Sequence, residues 1–196
     1  MCHGKRFRRI ASRVVVSSLL CLGFWQFGQG AYIPAKAWLA QELMQRAWQK
    51  AGHGVRKPAP WPWADTWPVA RLSAKGGNIE LIVLEGGSGR TLAFGPGHLS
   101  ISVLPGQKGN SIIAGHRDTH FQFLQYMKLG ESIQVETPDG RMHYYEVIDI
   151  DVVDSRRGSL LLDTDAPTLS LVTCYPFNAL EPGGPMRYVV SARMIL

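Results

Sequence analysis

The spacing of hydrophobic and polar positions divides the chain into three stretches. Residues 14–33 form a run of 20 uncharged positions whose apolar centre is 14–25. About 20 mainly apolar residues are enough for a helix to span a bilayer. Trp25, Phe27 and Tyr32 fall where an interfacial aromatic belt would lie. The pattern predicts a transmembrane anchor over 14–33. A cleaved signal peptide competes with it, but Gly28, Gly30 and Ala31 offer weak cleavage chemistry, so an uncleaved anchor is the preferred reading. Beyond it, Ala40, Leu43, Met44, Ala47, Trp48 and Ala51 recur at helical spacing, with Gln41, Glu42, Gln45, Arg46, Gln49 and Lys50 opposite. This predicts an amphipathic helix that ends at Gly52-His53-Gly54. Its apolar face would pack on the following domain or lie at the membrane surface. Lys57 to Trp63, with prolines at 58, 60 and 62, reads as a stiff linker, because proline fixes φ and removes donors. Helix and linker together fill 34–63.

From residue 64 onward the pattern changes to short strands rich in Val, Ile, Leu, Tyr and Thr. Strands are expected at 78–85, 91–94, 111–115, 132–137, 141–151, 168–174 and 187–195. Residues 65–73 would add an edge strand that tolerates Pro68. Gly86-Gly87-Ser88-Gly89 and Pro138-Asp139-Gly140 look like hairpin connections. Residues 121–128 are the one helical turn expected in this domain. Seven or eight short strands argue for an all-β sandwich or closed barrel over 64–196.

Composition and charge narrow the function. Of 196 residues, 45% are hydrophobic and 18% charged, with 21 Gly and 12 Pro, which excludes a disordered or collagenous chain. The net charge of +6 suggests a nucleic-acid binder until the charges are placed. Lys5, Arg6, Arg8, Arg9 and Arg13 carry +5 within residues 1–30, which hold no acid. The rest has 16 basic and 15 acidic side chains, so the domain offers no basic stripe for phosphates and no nucleic-acid partner is expected. The basic tail over 1–13 precedes the apolar run. By the positive-inside bias this places the N-terminus in the cytoplasm, the helix in membrane lipid and the domain on the far side.

Of three cysteines, only Cys174 lies in the domain; Cys2 is in the tail and Cys21 in the apolar run. An unpaired thiol in an exported domain is either a small buried hydrophobe or a reactive group. Its position favours reactivity. Cys174 ends the strand 168–174, and Tyr175-Pro176-Phe177 breaks that strand. A thiolate nucleophile needs a base or a positive neighbour. His116 follows another strand, and Arg187 opens the last one. A thiol, an imidazole and a fixed cation at strand ends are the parts of an acyl-transfer site. His116 and His120 are four apart, as metal ligands on a helix would be, but no third ligand is spaced to match. No metal or cofactor is implied. The local acidic run Asp149, Asp151 and Asp154 reads as a solvated strand edge.

Three separated motifs, Leu171-Val172-Thr173-Cys174, Gly115-His116-Arg117-Asp118 and Arg187, thirteen residues after the cysteine, resemble the sortase signature. Gly95-Pro96-Gly97-His98, the run from Pro105 to Asn110, and the N-terminal anchor fit the same layout. The resemblance covers roughly residues 65–196 and is most similar to sortases of Gram-negative bacteria. Ser170 stands where the usual motif has threonine. The resemblance implies a closed eight-stranded β-barrel with short helices behind a single-pass helix in the bacterial cytoplasmic (inner) membrane. It implies a cysteine transpeptidase acting on an exported protein with a C-terminal Leu-Pro-x-Thr-Gly-like signal. Cys174 would attack the Thr–Gly carbonyl, His116 would move protons to the departing and from the arriving amine, and Arg187 would hold the oxyanion or the substrate backbone. Thr173 would support the nucleophile, and Asp118 and His120 would orient His116. His98 would line the substrate groove or cap a turn. Two rival readings are another exported cysteine hydrolase or amidase, and a non-catalytic membrane-tethered assembly barrel.

Overall fold

In the computed structural model, which describes residues 3–158, 161–179 and 183–195, eight strands among the described residues close into a barrel. They are β1 (Pro68–Ala74), β2 (Ile79–Glu85), β3 (Gly97–His98), β4 (Asn110–Ala114), β5 (Ser132–Glu136), β6 (Met142–Asp154), β7 (Thr168–Cys174) and β8 (Met186–Met194). Their order around the barrel is β1-β2-β3-β4-β7-β8-β6-β5. Two pairs, β2 with β3 and β4 with β7, are parallel, and the others are antiparallel. Alternation along the strands sends Leu72, Val83, Ile113, Ile133, Val135, Tyr145, Leu169, Leu171 and Val190 into one core. Phe121 and Leu124, from a 3-10 turn region around Gln122–Tyr126, pack into the same core.

Most expected strands form close to where the alternation places them, and residues 121–128 hold the expected turn. Three expectations are corrected. Residues 91–94 are not a strand: Ser88 caps a short helix, α2 (Gly89–Leu92), by accepting a hydrogen bond from the Thr91 backbone at 3.2 Å. A local cap outweighs the short apolar run. Residues 86–89 are accordingly no hairpin, since they lead into α2 and the next strand runs parallel to β2. The strand at 65–73 is no edge, because β1 pairs with β2 on one side and β5 on the other. Pro68 survives by opening the strand.

The N-terminal region also differs from the expected division at residue 34. One helix, α1, runs His3–Gly52 with Pro34 inside it. Among the described residues, no helix is long and apolar enough to cross a membrane. Ser17, Ser18, Gly23, Gln26 and Gln29 dilute the apolar run over 14–33. The side chains of the basic tail over 1–13, and Cys2, lie outside the described residues. One compact unit comprises residues 1–41 and a second Glu42–Leu196, so the end of α1 belongs with the barrel. There Met44 and Trp48 pack with Ile82 and Leu84 of β2, against Trp61 and Phe94. The Arg71 guanidinium lies 5.3 Å above the Trp48 ring. The apolar face read from the spacing of Met44, Ala47, Trp48 and Ala51 is thus buried on the domain.

Candidate active site

The ends of β4 and β7 and the start of β8 bring the expected groups to one rim of the barrel. β4 and β7 run parallel, with Ala114 level with Val172. Two bonds extend that register beyond the ladder. The Gly115 N–H donates to the Val172 carbonyl at 3.0 Å, and the buried Thr173 hydroxyl donates to the Gly115 carbonyl at 2.7 Å. One residue further along each chain come His116, just past β4, and Cys174, the last residue of β7. The Phe121 N–H donates to the His116 carbonyl at 2.9 Å, so the backbone of that turn is pinned. Gly115 is required for close approach, since a Cβ there would lie 2.8 Å from the Phe121 ring. On the other flank, Cys174 pairs with Arg187 across the antiparallel β7–β8 ladder. His116, Cys174 and Arg187 therefore occupy neighbouring strand ends in that order.

Their surroundings suit different tasks. His116 is exposed, while Cys174 and Arg187 are half-buried. Cys174 is a free thiol. The Arg187 Nη1 donates to the Gly184 carbonyl at 2.7 Å and to the Met186 carbonyl at 2.9 Å. A guanidinium has five N–H donors, so these bonds aim the group without exhausting it. Tyr175, Phe177 and Tyr188 build an aromatic wall beside the cysteine, with the two tyrosine rings stacked at 6.2 Å and Phe177 edge-on to Tyr188 at 5.1 Å. Burial pushes the Tyr188 hydroxyl pKa up, and the neighbouring Tyr175 adds to the shift.

The remaining candidates separate. His120 is half-buried; burial lowers its pKa, and the charge of nearby His116 lowers it further. Asp118 does not orient His116 in this arrangement. It is 68% exposed, and its Oδ1 accepts from Arg117 Nε at 3.2 Å. His98 lines no groove, being only 2% exposed. Its Nδ1 faces Glu85 Oε2 at 3.1 Å, and its Nε2 faces the Val103 carbonyl at 2.9 Å, so it braces β2 against the following loop. The acidic run is engaged locally: Asp154 is bonded by Arg156, which lowers its pKa to about 2, and Asp151 accepts from the Val152 N–H at 2.7 Å. Among the described residues, no group of three or more His, Cys, Asp or Glu side chains is placed to hold a metal ion. Arg117 was quoted above only as part of a motif, yet it is buried and bridges to the segment after Cys174.

A family model described as the Sortase domain matches residues 72–195, which spans β4, β7 and β8 and all three rim groups. The chain belongs to the sortase family. This sortase is 30% identical over 119 residues to Sortase D of Bacillus subtilis (strain 168), a match covering 60% of this chain and 59% of that protein. The chain thus spans less than two thirds of that relative's length. Among solved structures, sortase C-1 from Actinomyces oris is 29% identical with a TM-score of 0.58, over 66% of this chain and 73% of that one. A sortase D5 transpeptidase from Clostridium perfringens shares the fold at 23% identity and a TM-score of 0.60, over 78% and 89% of the two chains.

Proposed function

We propose that this sortase is a cysteine transpeptidase that exchanges one amide bond for another on exported proteins. The observation that supports the reading is the register that pairs Cys174 with Arg187 and ends β4 two residues before His116. The Cys174 thiolate attacks the Thr–Gly carbonyl of a C-terminal Leu-Pro-x-Thr-Gly-like signal. Arg187 stabilises the tetrahedral oxyanion with a planar, permanently charged fork. As the C–N bond breaks, His116 gives its proton to the departing amine and a thioester remains. An incoming amine attacks that thioester, His116 takes its proton, and the thiolate leaves. Two steps through a thioester replace one difficult amide exchange.

The N-terminal helix supplies a tether in this reading. Val15, Val16, Leu19, Leu20, Leu22, Phe24 and Trp25 are all exposed, an apolar surface suited to lipid. With the basic tail inside, the barrel stands on the outer side of the cytoplasmic membrane. The Gram-negative subclass rests on the motif variant alone.

The test uses the full chain, a library of Leu-Pro-x-Thr-Gly-like peptides and added amines. Transfer product and a thioester at Cys174 are expected. Cys174→Ala, His116→Ala and Arg187→Ala should each lower transfer by on the order of a thousandfold while the fold is kept. Peptide hydrolysis indifferent to any amine would point to a hydrolase. A Cys174 inert to electrophiles, with biological activity intact in Cys174→Ala, would point to an assembly barrel. Recovery of the chain in the soluble fraction of lysed cells would remove the membrane assignment.

A further inference from the structure

The parallel β4–β7 ladder and its two extra bonds end at Gly115 and Thr173, one residue short of both His116 and Cys174. Beyond that point β4 gives way to the turn that holds His116, while β7 keeps its pairing with β8 through Cys174 before its own turn. What ties the two turns to each other past the ladder is Arg117. Its side chain is only 5% exposed. Nη1 donates to the Pro176 carbonyl at 2.7 Å, and Nη2 to the Ala179 carbonyl at 2.8 Å. Nε donates to Asp118 Oδ1 at 3.2 Å. The residue directly after the histidine thus grips the segment that starts two residues after the cysteine.

A buried guanidinium is expensive unless its donors are met. Here two backbone carbonyls, 59 and 62 residues away in sequence, meet them. The requirement is reciprocal: the segment 176–179 must stay where its carbonyls reach the guanidinium, and the turn 116–118 must stay where the guanidinium reaches them. A planar fork meets two separated carbonyls from two nitrogens in a fixed geometry, whereas a lysine ammonium offers its three donors from one nitrogen. Proton transfer needs heavy atoms within about 3 Å. A misplacement of about 1 Å can cost a factor of roughly 100 in rate.

We propose that Arg117 is a positioning residue that fixes the His116 imidazole relative to the Cys174 thiol by strapping the two turns together. The inference rests on the reading of Cys174 and His116 as the reacting pair. The Arg117 bonds to the Pro176 and Ala179 carbonyls let it act through the backbone of both turns.

The test compares full-length wild type, His116→Ala, Arg117→Lys and Arg117→Gln. One readout is the pH dependence of Cys174 alkylation by iodoacetamide, followed on the Cys174-containing peptide by mass spectrometry so that Cys2 and Cys21 do not interfere. The other is kcat against KM for acyl transfer, with circular dichroism to verify folding. In the folded Arg117 variants kcat should fall by about tenfold or more while KM changes by less than about threefold. Their alkylation profiles should move onto that of His116→Ala. A folded variant that keeps the wild-type alkylation profile overturns the proposal, whether or not kcat falls. Failure of both variants to fold assigns Arg117 to the fold instead and overturns it equally. If wild type transfers no peptide yet its profile differs from that of His116→Ala, the transpeptidase reading has failed. The strap is then still judged from alkylation.

Discussion

His120 shows how a single residue couples the site to pH. Burial, and then the charge of His116, hold its pKa below the ordinary value of 6.5. The unfolded chain therefore binds this proton more readily than the folded one. The folded state is favoured fully above the unfolded value and loses that advantage as pH falls through 6.5 toward the lowered folded value. Thermal melts between about pH 8 and about pH 5 should show wild type losing stability on acidification. His120→Gln should flatten that slope; an unchanged slope would mean that the buried ring does not control it. The positions of Cys174, His116 and Arg187 near strand ends were legible in the sequence because each such end is marked by a turn or a breaker. The roles of His98 and Arg117 were not, because their partners come from elsewhere in the chain. Glu85 lies 13 residues before His98, and Pro176 lies 59 residues after Arg117. No local pattern encodes such a partner.

The decisive unit among the elements is the parallel pair β4 and β7 with the close turn at Gly115. A methyl group at Gly115 would press on the fully buried Phe121 ring, and overpacking of this kind costs about 1–3 kcal/mol. Gly115→Ala should lower stability by that amount in denaturant melts and lower transfer further than the loss of folded protein explains. Activity that tracks folded protein alone would show that the turn tolerates displacement. Single strands were legible because period-two alternation is a local property, and β7 forms over the residues read from sequence. Strand partners were not. The two-residue β3 is too short to carry a pattern, and α2 forms where a serine cap overrides an apolar run.

For the molecule as a whole, strand number narrowed the architecture to a sandwich or a closed barrel and the family resemblance selected the barrel, but the start of the folded unit did not follow from composition. The proline-rich linker suggested a boundary near residue 64, whereas the compact unit begins at Glu42. Met44 and Trp48 explain the difference: they cover Ile82 and Leu84, and burying side chains of this size stabilises by about 1.5–3 kcal/mol each. A fragment of residues 42–196 should unfold at the same denaturant midpoint as the barrel of the full chain. A fragment of residues 54–196 should be less stable by about 3 kcal/mol or more. Equal midpoints for the two fragments would show that the helix end contributes nothing to the barrel.

The direct pairing of Cys174 with Arg187 bears on how such a catalyst diversifies. The nucleophile and the cation are set by the ladder, and Arg117 grips the connecting loop as far as Ala179. Arg187 itself holds the returning end at Gly184. Ala179 and Gly184 are thus each held through a backbone carbonyl, a contact that the backbone of any residue can supply. The side chain at a position such as Ala179 can then change with the polypeptide partner while the chemistry is inherited intact.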